Sequence, residues 1–251
     1  MPIGRAESER VCRMSRMTVR VAMWSGPRNI STAMMRSFGA RPDTVVVDEP
    51  FYAYYLARTG LQHPGRDEVM ASQPTRWQDV VAALLRPLPG VAVYYQKHMT
   101  HHLLPEIGVD WLDRLSNAYL IRDPAAVVAS YARVRRDPTL ADLGYVQQLE
   151  IFRRYGGPVL DATDILRDPP GSLRAICAAL RIPYSETMTS WPRGRRSTDG
   201  VWAPYWYGAV ENSTGFAPYD PAPQPVPDHL RVLVDEARSY YAELFAHRLQ
   251  P

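Results

Sequence analysis

Two stretches nearly a hundred residues apart share one design, and that design restricts the chain to few architectures. In each, a short apolar run ends in a polar turn that carries an arginine, and a helix begins at once. The first reads Trp24-Ser25-Gly26-Pro27-Arg28-Asn29-Ile30-Ser31-Thr32-Ala33-Met34-Met35. The second reads Tyr119-Leu120-Ile121-Arg122-Asp123-Pro124, with Ser130-Tyr131 following. A strand–turn–helix unit offers the first N–H groups of its helix, and the positive end of the helix dipole, to whatever occupies the turn. Arginine adds a fixed positive charge. Two such units predict a site for one ligand with more than one anionic group, and a phosphorylated nucleotide suits it.

The rest of the chain repeats the alternation. Strands are expected over 18–24, 44–47, 91–95, 118–121 and 158–160, and helices over 30–38, 77–85, 103–115, 124–135, 145–155, 173–180 and 228–247. Asp123-Pro124 is a helix start in its own right, aspartate capping and proline at the first helical position. Alternating β and α elements imply a parallel sheet with helices on both faces. Residues 183–227, rich in aromatics and proline, are expected to form an irregular lid.

At 251 residues, 46% hydrophobic and 22% charged, the chain can bury one sizeable core. Its net charge of +3 is too small for a nucleic-acid surface but suits a small polyanion. Cys12 and Cys177 are the only cysteines, and Cys177 lies in an apolar run, so no disulfide framework or zinc site is expected. No apolar stretch approaches the roughly 20 residues of a membrane helix. Residues 1–17, basic and without an apolar core, are expected to be a disordered tail of a cytoplasmic protein, with Met17 a candidate start.

The first turn lacks the GxxxxGK[ST] pattern of common ATPases and kinases. It resembles the 5′-phosphosulfate loop of the sulfotransferases that use 3′-phosphoadenosine 5′-phosphosulfate (PAPS), Pro-Lys/Arg-Ser-Gly-Thr/Ser-Thr. Pro27, Arg28, Asn29, Ile30, Ser31 and Thr32 align with it position by position, Asn29 and Ile30 replacing Ser-Gly. The second unit resembles that family's 3′-phosphate motif, an arginine at a strand end with a serine eight residues later, here Arg122 and Ser130. Asp123 and Ser130, seven positions apart, share a helix face. Looser likenesses extend over 18–205. The stretch Asp164 to Pro169, leading into a helix that ends at Ile182-Pro183, is one. The basic loop of Arg193, Arg195 and Arg196 is another; it falls where the family covers the nucleotide, and equally suits a solvated surface loop.

The resemblance also implies roles. Arg28 stands beside the leaving phosphate oxygen. Two residues compete as the base that takes the acceptor's proton. Glu49, in Asp48-Glu49-Pro50-Phe51-Tyr52, resembles carboxylate-using branches of the family and sits where ligands meet an open sheet. His98, in Tyr95-Gln96-Lys97-His98-Met99, resembles the base of cytosolic members, with Gln96 in place of their lysine and Lys97 able to cover part of its role. Histidine has the better intrinsic pKa; Glu49 is preferred, with His98 as partner. His98, His101 and His102 lack the spaced carboxylates or cysteines of a zinc site, so no metal is expected. The run 202–207 could stack an adenine, wall an acceptor pocket or simply complete the core, while Ala33 replaces a tryptophan that the family often stacks on adenine.

The expectation is therefore an α/β fold: a mainly parallel P-loop-type sheet flanked by helices, residues 18–251 forming one sulfotransferase-like domain with a C-terminal aromatic lid. The expected activity is transfer of a sulfuryl group from PAPS, leaving 3′-phosphoadenosine 5′-phosphate (PAP), to a hydroxyl or amine of a small-molecule acceptor, with no nucleic-acid or membrane partner. A divergent kinase and a non-catalytic nucleotide-binding module stay open as alternatives.

Overall fold

The computed structural model describes residues 18–222 and 225–251, so the expected tail over 1–17 lies outside the described residues. Five strands form one parallel sheet in the order β2-β3-β1-β4-β5. They are β1 (Val19–Ser25), β2 (Thr44–Asp48), β3 (Val93–Met99), β4 (Ser116–Ile121) and β5 (Val159–Asp161). The first helices are α1 (Ser31–Gly39), α2 (Tyr52–Thr59), α3 (Arg66–Ser72), α4 (Trp77–Leu85), α5 (Pro124–Tyr131) and α6 (Leu140–Leu143). They are followed by α7 (Tyr145–Tyr155), α8 (Ala162–Arg167), α9 (Pro169–Ala179), α10 (Ala203–Trp206), α11 (Gly208–Glu211) and α12 (Arg231–Ala246).

Strands buried on both faces read as continuous apolar runs, and β1 is one. Its Val21 and Met23 join Phe38 of α1 and Leu173 and Ile176 of α9 in one core. Its Ala22 and Trp24 join Leu84 of α4, Leu149 of α7 and Leu244 of α12 in the other. Cys177 lies in the first core, its thiol pushed up to about 11 by burial, as suits an inert packing residue. Among the described residues no helix is long and apolar enough to cross a membrane.

The α/β architecture is the one expected, with local differences that matter. The third strand runs on to Met99 instead of stopping at residue 95. The helix expected over 103–115 is absent: Pro105 and Gly108 break the run, and only a 3-10 turn, Asp110–Arg114, forms. Helix α5 ends at Tyr131, four residues early, and the chain then turns. Helices α2 and α3, unforeseen, fill the stretch after Glu49.

Chain order reverses at the sheet centre, since β1 leads outward to β2 and β3 while β4 leads to β5. In such sheets ligands bind at the carboxyl ends of the strands where the order reverses.

Candidate active site

The turns after β1 and β4 border one cleft of about 1010 Å³. Pro27, Arg28, Asn29, Ile30, Ser31 and Thr32 line it from one side, and Arg122 and Ser130 from another. The two turns touch: Arg28 donates through Nε to Ser130 Oγ (2.9 Å), and Arg122 donates through Nη1 to the Arg28 carbonyl (2.8 Å). Helix α1 begins without a side-chain cap and without an acidic residue in its first turn, leaving its positive end toward the cleft. Helix α5, in contrast, is capped by Asp123 through Ala125 and Ala126.

The first turn is held from below. Buried Asn29 donates to the Leu120 carbonyl (3.1 Å), and Gln148 donates to the carbonyls of Trp24 (2.8 Å) and Leu120 (3.1 Å). Gly26 has no room for a side chain, since a Cβ would stand 2.3 Å from the Leu143 carbonyl oxygen. Arg28 and Ile30 adopt left-handed backbone with φ of 61° and 55°. A β-branched residue there is strained. The turn thus keeps a glycine-type shape with isoleucine in the glycine position.

Burial depresses the pKa of Arg28, with Arg133 adding to the effect. Burial does the same to Arg122, with Arg28 adding. Among the described residues neither Arg28 nor Arg122 forms an ion pair. Clustered guanidiniums that lower one another's pKa gain most from an anion between them. Arg133, three residues past Ser130, lines this cleft because α5 stops early; the sequence reading missed it.

The basic loop differs from expectation. Arg193, Arg195 and Arg196 do not line the cleft. Arg193 and Arg195 point to solvent, and Arg196 donates to the Pro192 carbonyl (2.9 Å). The cause is Asp199, whose buried ion pair with Arg36 (2.6 Å) ties the loop to the far end of α1.

Glu49 stands just past β2, with φ of 37°, and its carboxylate reaches the cleft. Beside it the Lys97 ammonium contacts Glu49 Oε1 (2.6 Å), Asp48 Oδ1 (2.9 Å) and the Tyr207 hydroxyl (2.7 Å). Lys97, named above as able to cover part of the family lysine's role, is the only lysine in the chain and is 1% exposed. Burial opposes its charge, but Asp48, Glu49 and Tyr207 outweigh burial and hold its pKa well above the usual lysine value. Burial pushes the Glu49 carboxyl upward; Lys97 opposes the shift and Asp48 adds to it.

His98 is not brought to the cleft. Side chains alternate along a strand, so Lys97 and His98 face opposite sides of β3. His98 stacks on Trp24 (4.3 Å between centroids), bonds to Gln96 (3.1 Å), and is driven to about 3 by burial. Its ring is buried in the core and does not line the cleft.

Three other histidines do line the cleft: His63, His101 and His102. His102 stacks on Tyr52 (4.8 Å) and Tyr55 (4.6 Å), and His63 bonds the Tyr52 hydroxyl (2.8 Å). Among the described residues no cluster of His, Cys, Asp or Glu is arranged to hold a metal ion. Of the aromatic run, Trp202 is core and Trp206 and Tyr207 line the cleft. Phe216 and Tyr219, further along, also face it.

The profile of the family described as "Sulfotransferase domain" matches residues 19–247. The chain belongs to this family. Three solved sulfotransferases share the fold. The sulfotransferase domain of the Synechococcus PCC 7002 olefin synthase is 19% identical, with a TM-score of 0.56, over 94% of this chain and 97% of that one. The sulfotransferase domain from the curacin biosynthetic pathway is 14% identical, with a TM-score of 0.55, over 94% and 100%. A sulfotransferase from Alicyclobacillus acidocaldarius is 12% identical, with a TM-score of 0.53, over 92% and 97%. Two Arabidopsis thaliana proteins, named branched-chain-amino-acid aminotransferase-like proteins 1 and 2, are 35% and 32% identical over 89% of this chain. This chain spans 41% of the length of each.

Proposed function

We propose that this sulfotransferase-family chain uses PAPS as donor, acts on a hydroxyl or amine of a small-molecule acceptor, and works as one unit over residues 18–251. The observation that carries this reading is the joined pair Arg28 and Arg122, bridged to Ser130 beside the uncapped start of α1. Two anionic groups on one ligand match two linked cationic turns. When bound, the donor supplies the sulfuryl group.

The chain's own residues do the rest. Arg28, Ser31 and Thr32 hold the 5′ end, while Arg122 and Ser130, reinforced by Arg133, hold the 3′-phosphate. Glu49, deprotonated, accepts the acceptor's proton, and Lys97 keeps one of its oxygens engaged. Positioning and fixed charge are the main catalytic resources for transfers of this class. His98, Arg193, Arg195 and Arg196 have no part in this assignment. The aminotransferase-like name is that of chains this one spans by 41%. The sole lysine here, the side chain amine-transfer chemistry would need free, is locked between two carboxylates.

A thermal-shift panel tests the proposal. PAP at a hundred times its Kd should raise Tm by about 5–10 °C without Mg²⁺, and AMP at the same concentration should do so less. Stabilisation by ATP with Mg²⁺, and none by PAP, would instead favour a kinase.

A further inference from the structure

The Lys97 ammonium has three N–H donors, and all three are spoken for: Asp48 Oδ1, Glu49 Oε1 and the Tyr207 oxygen. Tyr207 is equally committed. Its one proton goes to Asp48 (2.7 Å to Oδ2), and its two acceptor positions take Lys97 and the Trp202 indole N–H (3.1 Å). Asp48 Oδ2 also receives the Gly200 N–H (3.1 Å). A rotor with every donor bound cannot turn without breaking charged contacts, so Lys97 grips Glu49 in a single direction.

Two anchors of this cluster, Tyr207 and the Gly200 N–H, come from residues 200–207. The chain immediately after them, including Ala209, Val210 and Phe216, forms a wall of the cleft. The wall and the carboxylate are therefore joined through one phenol. Resting on Glu49 as the base, we propose that Tyr207 is a positioning residue: by fixing the Lys97 donors its hydroxyl aims the Glu49 carboxylate into the cleft, and it ties that aim to the seating of the C-terminal wall. The ionisable groups facing Glu49 are Asp48, Lys97 and Tyr207, with Tyr52 from α2 and Tyr131 from α5.

The test titrates Glu49 directly by 13C NMR of its side-chain carboxyl in the free protein, assigned by difference from Glu49→Gln. Tyr207→Phe removes the oxygen that fixes one Lys97 donor and so loosens the ammonium that favours the charged carboxylate, so the Glu49 midpoint should rise by roughly half a pH unit or more. Asp48→Asn removes a neighbouring negative charge, so the midpoint should fall. In donor turnover, read as PAP release, Tyr207→Phe should lower kcat about tenfold and shift its acid limb upward, with PAP affinity within about twofold of the parent. A Tyr207 that merely filled space would leave the Glu49 midpoint unmoved in Tyr207→Phe. If Tyr207→Phe does not fold, Trp202→Phe, which removes the indole N–H that holds the Tyr207 oxygen, carries the test with the same upward shift expected. An unmoved midpoint in either folded variant overturns the inference, as does an unchanged kcat profile in Tyr207→Phe. The titration needs no donor, so failure of the parent protein to bind PAP refutes the functional reading and leaves this measurement separate.

Discussion

Arg122→Ala should weaken PAP far more than AMP. In the structure the Arg122 guanidinium spends one N–H on the Arg28 carbonyl and lines the cleft, with no carboxylate in an ion pair with it among the described residues. A charge-assisted contact to the 3′-phosphate contributes about 1.5–3 kcal/mol, which is a loss of about 10- to 150-fold in PAP affinity. The 5′ side is affected only through the released Arg28 carbonyl, one hydrogen bond of about 0.5–1.5 kcal/mol, or about 2- to 10-fold for AMP. Isothermal titration calorimetry with both nucleotides at one fixed salt concentration measures the ratio, since exposed charges are screened. Because the strut loss is common to both ligands, the preference for PAP over AMP should fall by the 3′-phosphate contact alone, about 10- to 150-fold. Equal losses for the two ligands would falsify the assignment of the second turn to the 3′-phosphate, because the arginine would then be acting only as a strut for the first.

Glu49→Gln should cut donor turnover by about a hundredfold or more, while His98→Gln should stay within about threefold once its stability loss is allowed for; the reverse ranking would restore His98 as base. Lys97→Met leaves Asp48 and Glu49 buried beside each other without their cation, so it should cost about 3–5 kcal/mol in urea melts, and a loss below about 1 kcal/mol would show the cluster to be solvated. Burial holds His98 at about 3, His101 at about 4 and His102 well below its usual value, so the unfolded chain, titrating near 6.5, binds more protons than the folded one as pH drops. Stability should therefore fall from about pH 6.5 downward, by about 1.4 kcal/mol per pH unit for each histidine, and a flat profile between pH 7 and 5 would count against their burial.

Much of the fold could be read in advance because its signals are local. Asp123-Pro124 sets a helix start by itself, and the β-branched runs mark strands that need cover on both faces. Where the sequence misled, the cause was mostly tertiary. Whether Lys97 or His98 faces the cleft depends on parity within β3, and parity could not be assigned while the strand was ended at residue 95. The loop at 193–196 carries the right charges for a nucleotide, but its place is set by Asp199 pairing with Arg36, a partner 163 positions away. Arg133 entered the cleft because α5 stops at Tyr131, a boundary that alanine- and valine-rich helical sequence does not announce. The helix expected over 103–115 fails for a local reason: Pro105 and Gly108 interrupt it, leaving only the 3-10 turn Asp110–Arg114.

A chain with one lysine, and that lysine sealed between two carboxylates and a phenol, is nearly blind to amine-directed reagents. Apart from the terminal amine, acylating dyes and crosslinkers find nothing to attack while the cluster holds. Their rate of uptake at Lys97, followed by intact-mass spectrometry, thus becomes a clock for transient opening of the strand ends around it, and any ligand that tightens this corner should slow the clock.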